Sequence, residues 1–113
     1  METITAEEWL AKGKELFGDN MLNWRFVCPG CGHVQTPQDF QPFQEQGATP
    51  DSARNECIGR YTGGKSWLRD NLQKYNGPCD YAGYGLFSIS PVVVLDGAEK
   101  VHSFAFDTVP QQG

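Results

Sequence analysis

The first pattern of apolar and polar residues along the chain is an amphipathic stretch near its start. Four apolar residues recur there at helical spacing: Trp9, Leu10, Leu16 and Phe17. A capping box precedes them, since the Thr5 hydroxyl can accept from the Glu8 backbone N–H while the Glu8 carboxylate reaches back to Thr5. The pattern predicts a helix over residues 6–17 that Gly18 ends, with the four apolar residues as its packing contacts.

Two short runs of aromatic and β-branched residues flank a tight turn. Residues 24–27 (WRFV) lead into Cys28–Gly32 (CPGCG), and residues 33–36 (HVQT) lead out of it. Such runs on either side of a glycine-containing turn are typical of two paired strands.

Two Thr-Pro pairs follow, and each places a capping hydroxyl before a proline that fits the first position of a helix. We expect short helices or turns to begin after Thr36 and after Thr49. Residues 38–47 between them are polar apart from two phenylalanines and contain a further proline, which predicts an irregular connection.

The middle of the chain predicts one more helix and a strand. Apolar residues at helical spacing mark one face of residues 65–75, and Gly77 with Pro78 ends the pattern. A glycine-rich run follows, and a strand is expected near residues 86–89 once the glycines are passed.

A hairpin is expected at the end of the chain. Residues 92–95 (VVVL) and 101–106 (VHSFAF) are strand-like, and they flank Asp96 and Gly97 with a loop longer than two residues. Together these elements predict one α+β domain over residues 1–113, with an N-terminal helix and a mostly antiparallel sheet.

Composition restricts the protein class. The chain has 113 residues, including 13 glycines and 7 prolines, and a core of that size commonly needs a metal or disulfide to stabilise it. The N-terminal residues resemble no signal peptide, and no run of about 18 apolar residues occurs, so we expect a cytoplasmic protein without a membrane span. The net charge of −5 disfavours a general nucleic-acid binder.

The four cysteines carry the most specific chemistry in the sequence: Cys28, Cys31, Cys57 and Cys79. The two-residue spacer of the first pair lets both thiolates face one ion, with Gly30 and Gly32 supplying the positive φ of the turn. In a reducing compartment an even set of cysteines favours metal ligation over disulfides. We therefore predict one structural Zn2+ in a zinc-ribbon-like site with a split second pair.

Several alternatives to this zinc site stay open. The cysteines could be separate buried residues, the first pair could be a redox dithiol, the group could hold an iron–sulfur cluster, or His33 could replace Cys57 as a ligand. A dithiol usually opens a helix, whereas a strand is expected here. A shell of four thiolates leaves no position for a reactive water, so we expect no catalysis by the metal.

A second motif resembles a phosphate-binding loop. Residues 59–66 (GRYTGGKS) satisfy G-x-x-x-x-G-K-S, and residues 92–96 (VVVLD) resemble a Walker B strand. A buried parallel strand should precede such a loop, but the polar residues 52–58 precede it here. The weaker possibility is an anion site at a helix start, with five candidate residues: Arg60, Gly64, Lys65, Ser66 and Arg69. A solvated basic helix face is the alternative explanation.

Four segments together resemble a family of small uncharacterised phage and prophage proteins with a CPxCG knuckle and a GPC-D/N-YAG motif: EEWL, WRFVCPGCGHV, CIGRYTG and GPCDYAGYGLF. The resemblance covers nearly the whole chain. It implies that all four cysteines belong to one framework and that the protein has a viral or prophage origin in a bacterial host. It implies no activity.

Three functions compete at this point. The first is a non-catalytic module that binds a host macromolecule, for example to interfere with host defence. The second is a nucleotide or nucleic-acid binder that uses Arg60, Lys65, Arg69 and nearby aromatic rings. The third is an enzyme, which we do not expect, because no motif combines a nucleophile, a base and an orienting group.

Overall fold

The computed structural model describes residues 2–66, 77–83 and 89–108. Within these ranges the α-helices are α1 (Ala6–Phe17) and α2 (Gly59–Thr62), and three 3₁₀ helices span Met21–Asn23, Pro37–Gln46 and Pro50–Arg54. The strands are β1 (Glu2–Thr5), β2 (Phe26–Val27), β3 (Val34–Gln35), β4 (Val92–Asp96), β5 (Glu99–Ser103) and β6 (Ala105–Phe106).

The strands form two three-stranded sheets, in the orders β1-β4-β5 and β3-β2-β6. Strand β4 pairs in parallel with β1, from Glu2 opposite Val92 to Thr5 opposite Leu95. The pairs β4–β5, β2–β3 and β2–β6 are antiparallel. The α+β class with mostly antiparallel pairing is therefore confirmed, although the sequence pattern did not predict β1.

Helix α1 has the predicted bounds and caps. The Thr5 Oγ1 accepts from the Glu8 N–H at 3.1 Å, and the Thr5 N–H donates to the Glu8 carboxylate at 3.3 Å. Gly18, at φ 89°, ends the helix and donates its N–H to the Lys14 carbonyl. This agreement follows because capping depends on residues close together in sequence.

The buried face of α1 differs from the predicted one. Trp9 is buried and Phe17 is half-buried, but Leu10 and Leu16 are about two-fifths exposed, at 39% and 41%. Gly13 takes their place in the interface, since a Cβ there would lie 2.2 Å from the Trp24 ring. The glycine lets the Trp24 ring approach the helix closely, and the two leucines are left on the solvent side.

An aromatic cluster fills the space between α1 and the β3-β2-β6 sheet. Trp24 is fully buried, meets Trp9 edge to face at 5.4 Å between ring centroids, and contacts Phe106 at 5.8 Å. Its indole N–H donates to the Gly18 carbonyl at 2.9 Å. This bond satisfies the polar group of an otherwise apolar ring, so Trp24 can be buried completely.

Both Thr-Pro pairs begin 3₁₀ helices, as predicted. The Thr36 N–H donates to the Asp39 carboxylate at 2.9 Å, and the Thr49 N–H donates to the Ser52 hydroxyl at 3.0 Å. These two bonds take up backbone donors that the start of each helix would leave unpaired.

The prediction of an irregular connection over residues 38–47 is wrong. The segment Pro37–Gln46 is 3₁₀ helical with a kink at Phe43, and Phe40 is 1% exposed. The rings of Phe40 and Phe43 each lie 5.9 Å from the Tyr61 ring. Packing against a distant residue therefore orders a segment whose own sequence favours irregular backbone.

The C-terminal hairpin is present, but its turn is shorter than predicted. Asp96 pairs with Glu99, which leaves Gly97 and Ala98 as a two-residue turn with Gly97 at φ 61°. The pairing extends beyond the apolar residues because backbone hydrogen bonds do not require an apolar side chain. Residues 67–75 of the predicted helix and 86–88 of the predicted strand lie outside the described residues.

No helix in the part of the chain that the structure describes has both the length and the apolar character needed to cross a bilayer.

Candidate metal centre

The four cysteines meet at one point in the fold although they come from three separate segments. The turn between β2 and β3 supplies Cys28 and Cys31, the residues before α2 supply Cys57, and an extended segment after Pro78 supplies Cys79. All four are buried, and their Sγ atoms lie within 4.8 Å of one another. The predicted set of four is thus brought together.

Two of the distances between the sulfur atoms match the edge of a thiolate tetrahedron around a metal ion. The Cys28 and Cys79 Sγ atoms are 3.8 Å apart, and so are those of Cys31 and Cys57. A Zn–S bond of about 2.3 Å gives a tetrahedron with an edge of about 3.8 Å. Since a disulfide would bring two sulfurs to about 2.05 Å, the four cysteines are free thiols, and they lie close enough together to hold a metal ion.

Close packing of the four thiols shifts their pKa values in opposite directions. Hydrogen bonds from the neighbouring thiols, led by Cys28, lower the pKa of Cys57, and the Gly59 N–H lowers it further. Hydrogen bonds to the other thiols, led by Cys31, raise the pKa of Cys28, and burial adds to that rise. The four groups cannot all ionise together at low cost unless a cation is placed among them.

Backbone N–H groups point at the sulfurs. The Cys79 N–H donates to the Cys57 Sγ at 3.2 Å, and the Tyr81 N–H donates to the Cys79 Sγ at 3.4 Å. Donors of this kind stabilise thiolates and orient them toward a metal. The arrangement therefore fits a metal ion by distance, burial and donor chemistry.

The turn that carries the first pair is closed by its own backbone. The Gly32 N–H donates to the Cys28 carbonyl at 2.8 Å, and the Cys28 N–H donates to the His33 carbonyl at 3.0 Å. Gly32 has φ 79°, as predicted, but Gly30 does not have the positive φ expected of it. One left-handed residue is enough to turn the chain between two short strands.

His33 does not join the ligand cluster. The set of close donor atoms in the described residues consists of the four cysteine sulfurs, and it includes Cys57 rather than the histidine. His33 is half-buried beside Gly77, where a Cβ would lie 2.3 Å from the His33 Cβ and 2.6 Å from the Cys31 Sγ. Gly77 thus lets the chain close over the site, which the sequence pattern did not indicate.

The chain matches one known protein family over most of its length. The sequence profile of a family described as VVA0879-like matches residues 5–107, a range that contains the whole cysteine cluster. The chain belongs to the VVA0879-like family. The comparisons with curated proteins and with solved structures give no significant match. The family description names no activity.

The glycine–lysine segment of this VVA0879-like chain, residues 59–66, forms a wall of the cysteine site. A Cβ on Gly59 would lie 2.1 Å from the Cys79 carbonyl oxygen, and one on Gly64 would lie 2.6 Å from the Pro78 oxygen. The Gly64 N–H donates to the Gly59 carbonyl at 2.8 Å. Both glycines are therefore explained by close packing against the backbone of Pro78 and Cys79.

The other residues of the predicted anion site are spread over this wall. Arg60 is exposed and donates from Nη1 to the Asp80 carbonyl at 3.1 Å. Lys65 is exposed and forms an isolated bridge with Cys79, while Ser66 is half-buried. Arg69 lies outside the described residues. An anion site formed by the five residues therefore stays a prediction.

Replacing Gly59 with alanine tests the packing role of the motif. We expect Gly59→Ala to lower the free energy of unfolding by about 1–3 kcal/mol or more, because the Cβ collides with the Cys79 backbone. Urea unfolding measures the change, and Arg60→Ala, on the exposed face of the same helix, is the control with a small effect. Unchanged stability of Gly59→Ala would contradict the packing role.

Proposed function

We propose that this chain is a small zinc-binding protein, encoded by a phage or prophage, that acts in the bacterial cytoplasm by binding a host macromolecule without catalysis. The observation that supports it most directly is the closed, buried set of four cysteines. A metal held by four thiolates serves as a structural cross-link, and recognition is left to the protein surface.

Burial of the ligands argues against a reactive metal. The most exposed of the four cysteines, Cys31, is 7% exposed, and Cys57 and Cys79 are fully buried. A catalytic zinc keeps one position open for water or substrate, and a shell of four cysteines fills all of them. Zinc also suits the site because it favours tetrahedral thiolate ligation and undergoes no redox change.

Exposed apolar side chains support a protein partner. Leu10 and Met21 are 39% and 44% exposed, and both border a cavity of about 180 Å³ together with Trp9 and Arg54. Exposed apolar groups beside a concave surface are typical of interaction sites. The net charge of −5 adds a reason to expect a protein and not a nucleic acid.

The alternative of nucleotide binding has less support. A phosphate loop needs backbone N–H groups that point at the ligand. The Gly64 N–H is instead bonded to the Gly59 carbonyl within the wall of the cysteine site. We therefore keep nucleotide or nucleic-acid binding through Arg60 and Lys65 as an outcome of the test and not as a second proposal.

Affinity capture followed by reconstitution tests the function. The tagged, metal-loaded protein is used to capture partners from a bacterial host, and each candidate is purified and titrated against it. We expect a host protein to bind at least ten-fold more weakly to Met21→Glu, whereas Leu16→Glu, a matched exposed apolar position, serves as the control. Capture of nucleic acid alone, with an affinity that falls with salt and in Lys65→Ala, would overturn the proposal.

A further inference from the structure

Gln35 is a buried polar side chain that connects two parts of the cysteine site. It lies on β3, four positions after Cys31, and is 1% exposed. A polar residue so deeply buried is costly unless its hydrogen bonds are made. Its partners therefore indicate what the residue does.

Every partner of the Gln35 amide lies in the segment that carries Cys57. The Nε2 donates to the Ala53 carbonyl at 2.8 Å and to the Glu56 carbonyl at 2.6 Å. The Oε1 accepts from the Ile58 N–H at 2.9 Å. One side chain thus uses both donors and its acceptor to hold the backbone on either side of a single cysteine.

The opposite side of the same segment is held by backbone pairing. The Cys57 N–H donates to the Tyr81 carbonyl at 2.9 Å, and Glu56 forms an isolated bridge with Ala82. These contacts join Cys57 to the segment of Cys79, whereas Gln35 joins it to the hairpin of Cys28 and Cys31. The hairpin of Cys28 and Cys31 and the segment of Cys79 are therefore both fixed relative to Cys57.

We infer that Gln35 is a positioning residue for the proposed metal site, because it fixes the backbone on both sides of Cys57 and so keeps the Cys57 Sγ beside the other three sulfur atoms. The inference rests on the proposed zinc site and adds a residue outside the ligand set. Preorganisation raises metal affinity because the ligands need not be ordered when the ion binds. Three hydrogen bonds from one rigid amide supply that order here.

The variant Gln35→Met tests this role, since methionine has a similar volume and cannot make the three hydrogen bonds. We expect its Zn2+ affinity, measured by competition with a chelator, to fall by about 10- to 100-fold. The d–d absorption of the Co2+-loaded protein should also weaken, because a site that loses its fourth thiolate takes up water and rises above four-coordination. Gln35→Asn, which keeps the amide but shortens the side chain, is the milder variant if Gln35→Met does not fold.

The control is Val94→Ala, which removes buried volume from β4 in the other sheet. It lowers stability and leaves the three hydrogen bonds of Gln35 in place, so its Co2+ spectrum should match that of the wild type. If the Gln35 variants bind Zn2+ and Co2+ as Val94→Ala does, Gln35 is an ordinary core residue and the inference fails alone. If the wild-type protein binds no metal, the inference and the proposed zinc site fail together.

Discussion

Cys57→Ser is expected to leave the protein without a cooperative unfolding transition at neutral pH. Structural zinc contributes about 10–16 kcal/mol in small zinc domains, whereas a whole domain of this size is stable by about 5–15 kcal/mol. In the proposed zinc site the substitution removes one of four ligands, and Cys57 lies in a different segment from the other three cysteines. Circular dichroism and urea unfolding in the presence of Zn2+ measure the result.

His33→Ala is the matched control for that prediction. His33 is a potential ligand by residue type and neighbours the first cysteine pair, but it lies outside the cluster of sulfur atoms. We expect the variant to keep its metal and its unfolding transition. A stable Cys57→Ser protein combined with a metal-free His33→Ala protein would instead assign the fourth ligand to the histidine.

Trp24→Ala is expected to cause the second largest loss of stability. Replacing a fully buried tryptophan by alanine costs about 3–5 kcal/mol, because the transfer energy of the ring is lost and a cavity remains. The bond from the indole N–H to the Gly18 carbonyl is lost as well. The free energy of unfolding from urea titration measures the loss.

Met21→Ala, on an exposed side chain next to the same cluster, is the comparison for Trp24→Ala. We expect it to change the free energy of unfolding by no more than about 0.5 kcal/mol. The folded fraction of Trp24→Ala should still bind one metal, since its ring contacts lie among the aromatic residues and not the cysteines. Equal effects of the two variants would show that the aromatic cluster is not the main apolar core.

Elements set by neighbouring residues could be predicted from the sequence. The capping box of Thr5 and Glu8, the stop at Gly18 and the hairpin around Cys28 and Cys31 all depend on contacts within a few positions. The first cysteine pair could also be named as candidate metal ligands from its two-residue spacer, and the even number of cysteines added Cys57 and Cys79. Composition and spacing were enough for these features.

Features that depend on distant contacts could not be predicted. Strand β1 exists because β4, about 90 positions later, pairs with it, and its own residues are mostly exposed. Gly13 is buried because Trp24 lies on it, and Gln35 is buried because its partners surround Cys57. No local pattern distinguishes these residues from an ordinary helix glycine or a surface glutamine.

The glycine–lysine motif shows why a short motif needs its structural context. The glycines at positions 59 and 64 match a phosphate loop in spacing, and in the fold both lie against the backbone of residues 78 and 79. Glycine is required both where two backbone segments pack closely and where a phosphate approaches the backbone closely. The spacing alone could not separate the two explanations.

The metal content of the native protein tests the central claim most directly. Inductively coupled plasma mass spectrometry on the purified, untagged protein should give one zinc per chain, and removal by a strong chelator should abolish the unfolding transition until Zn2+ is restored. Clearly less than one metal ion per chain, or an unchanged unfolding curve after complete chelation, would contradict a zinc-stabilised fold.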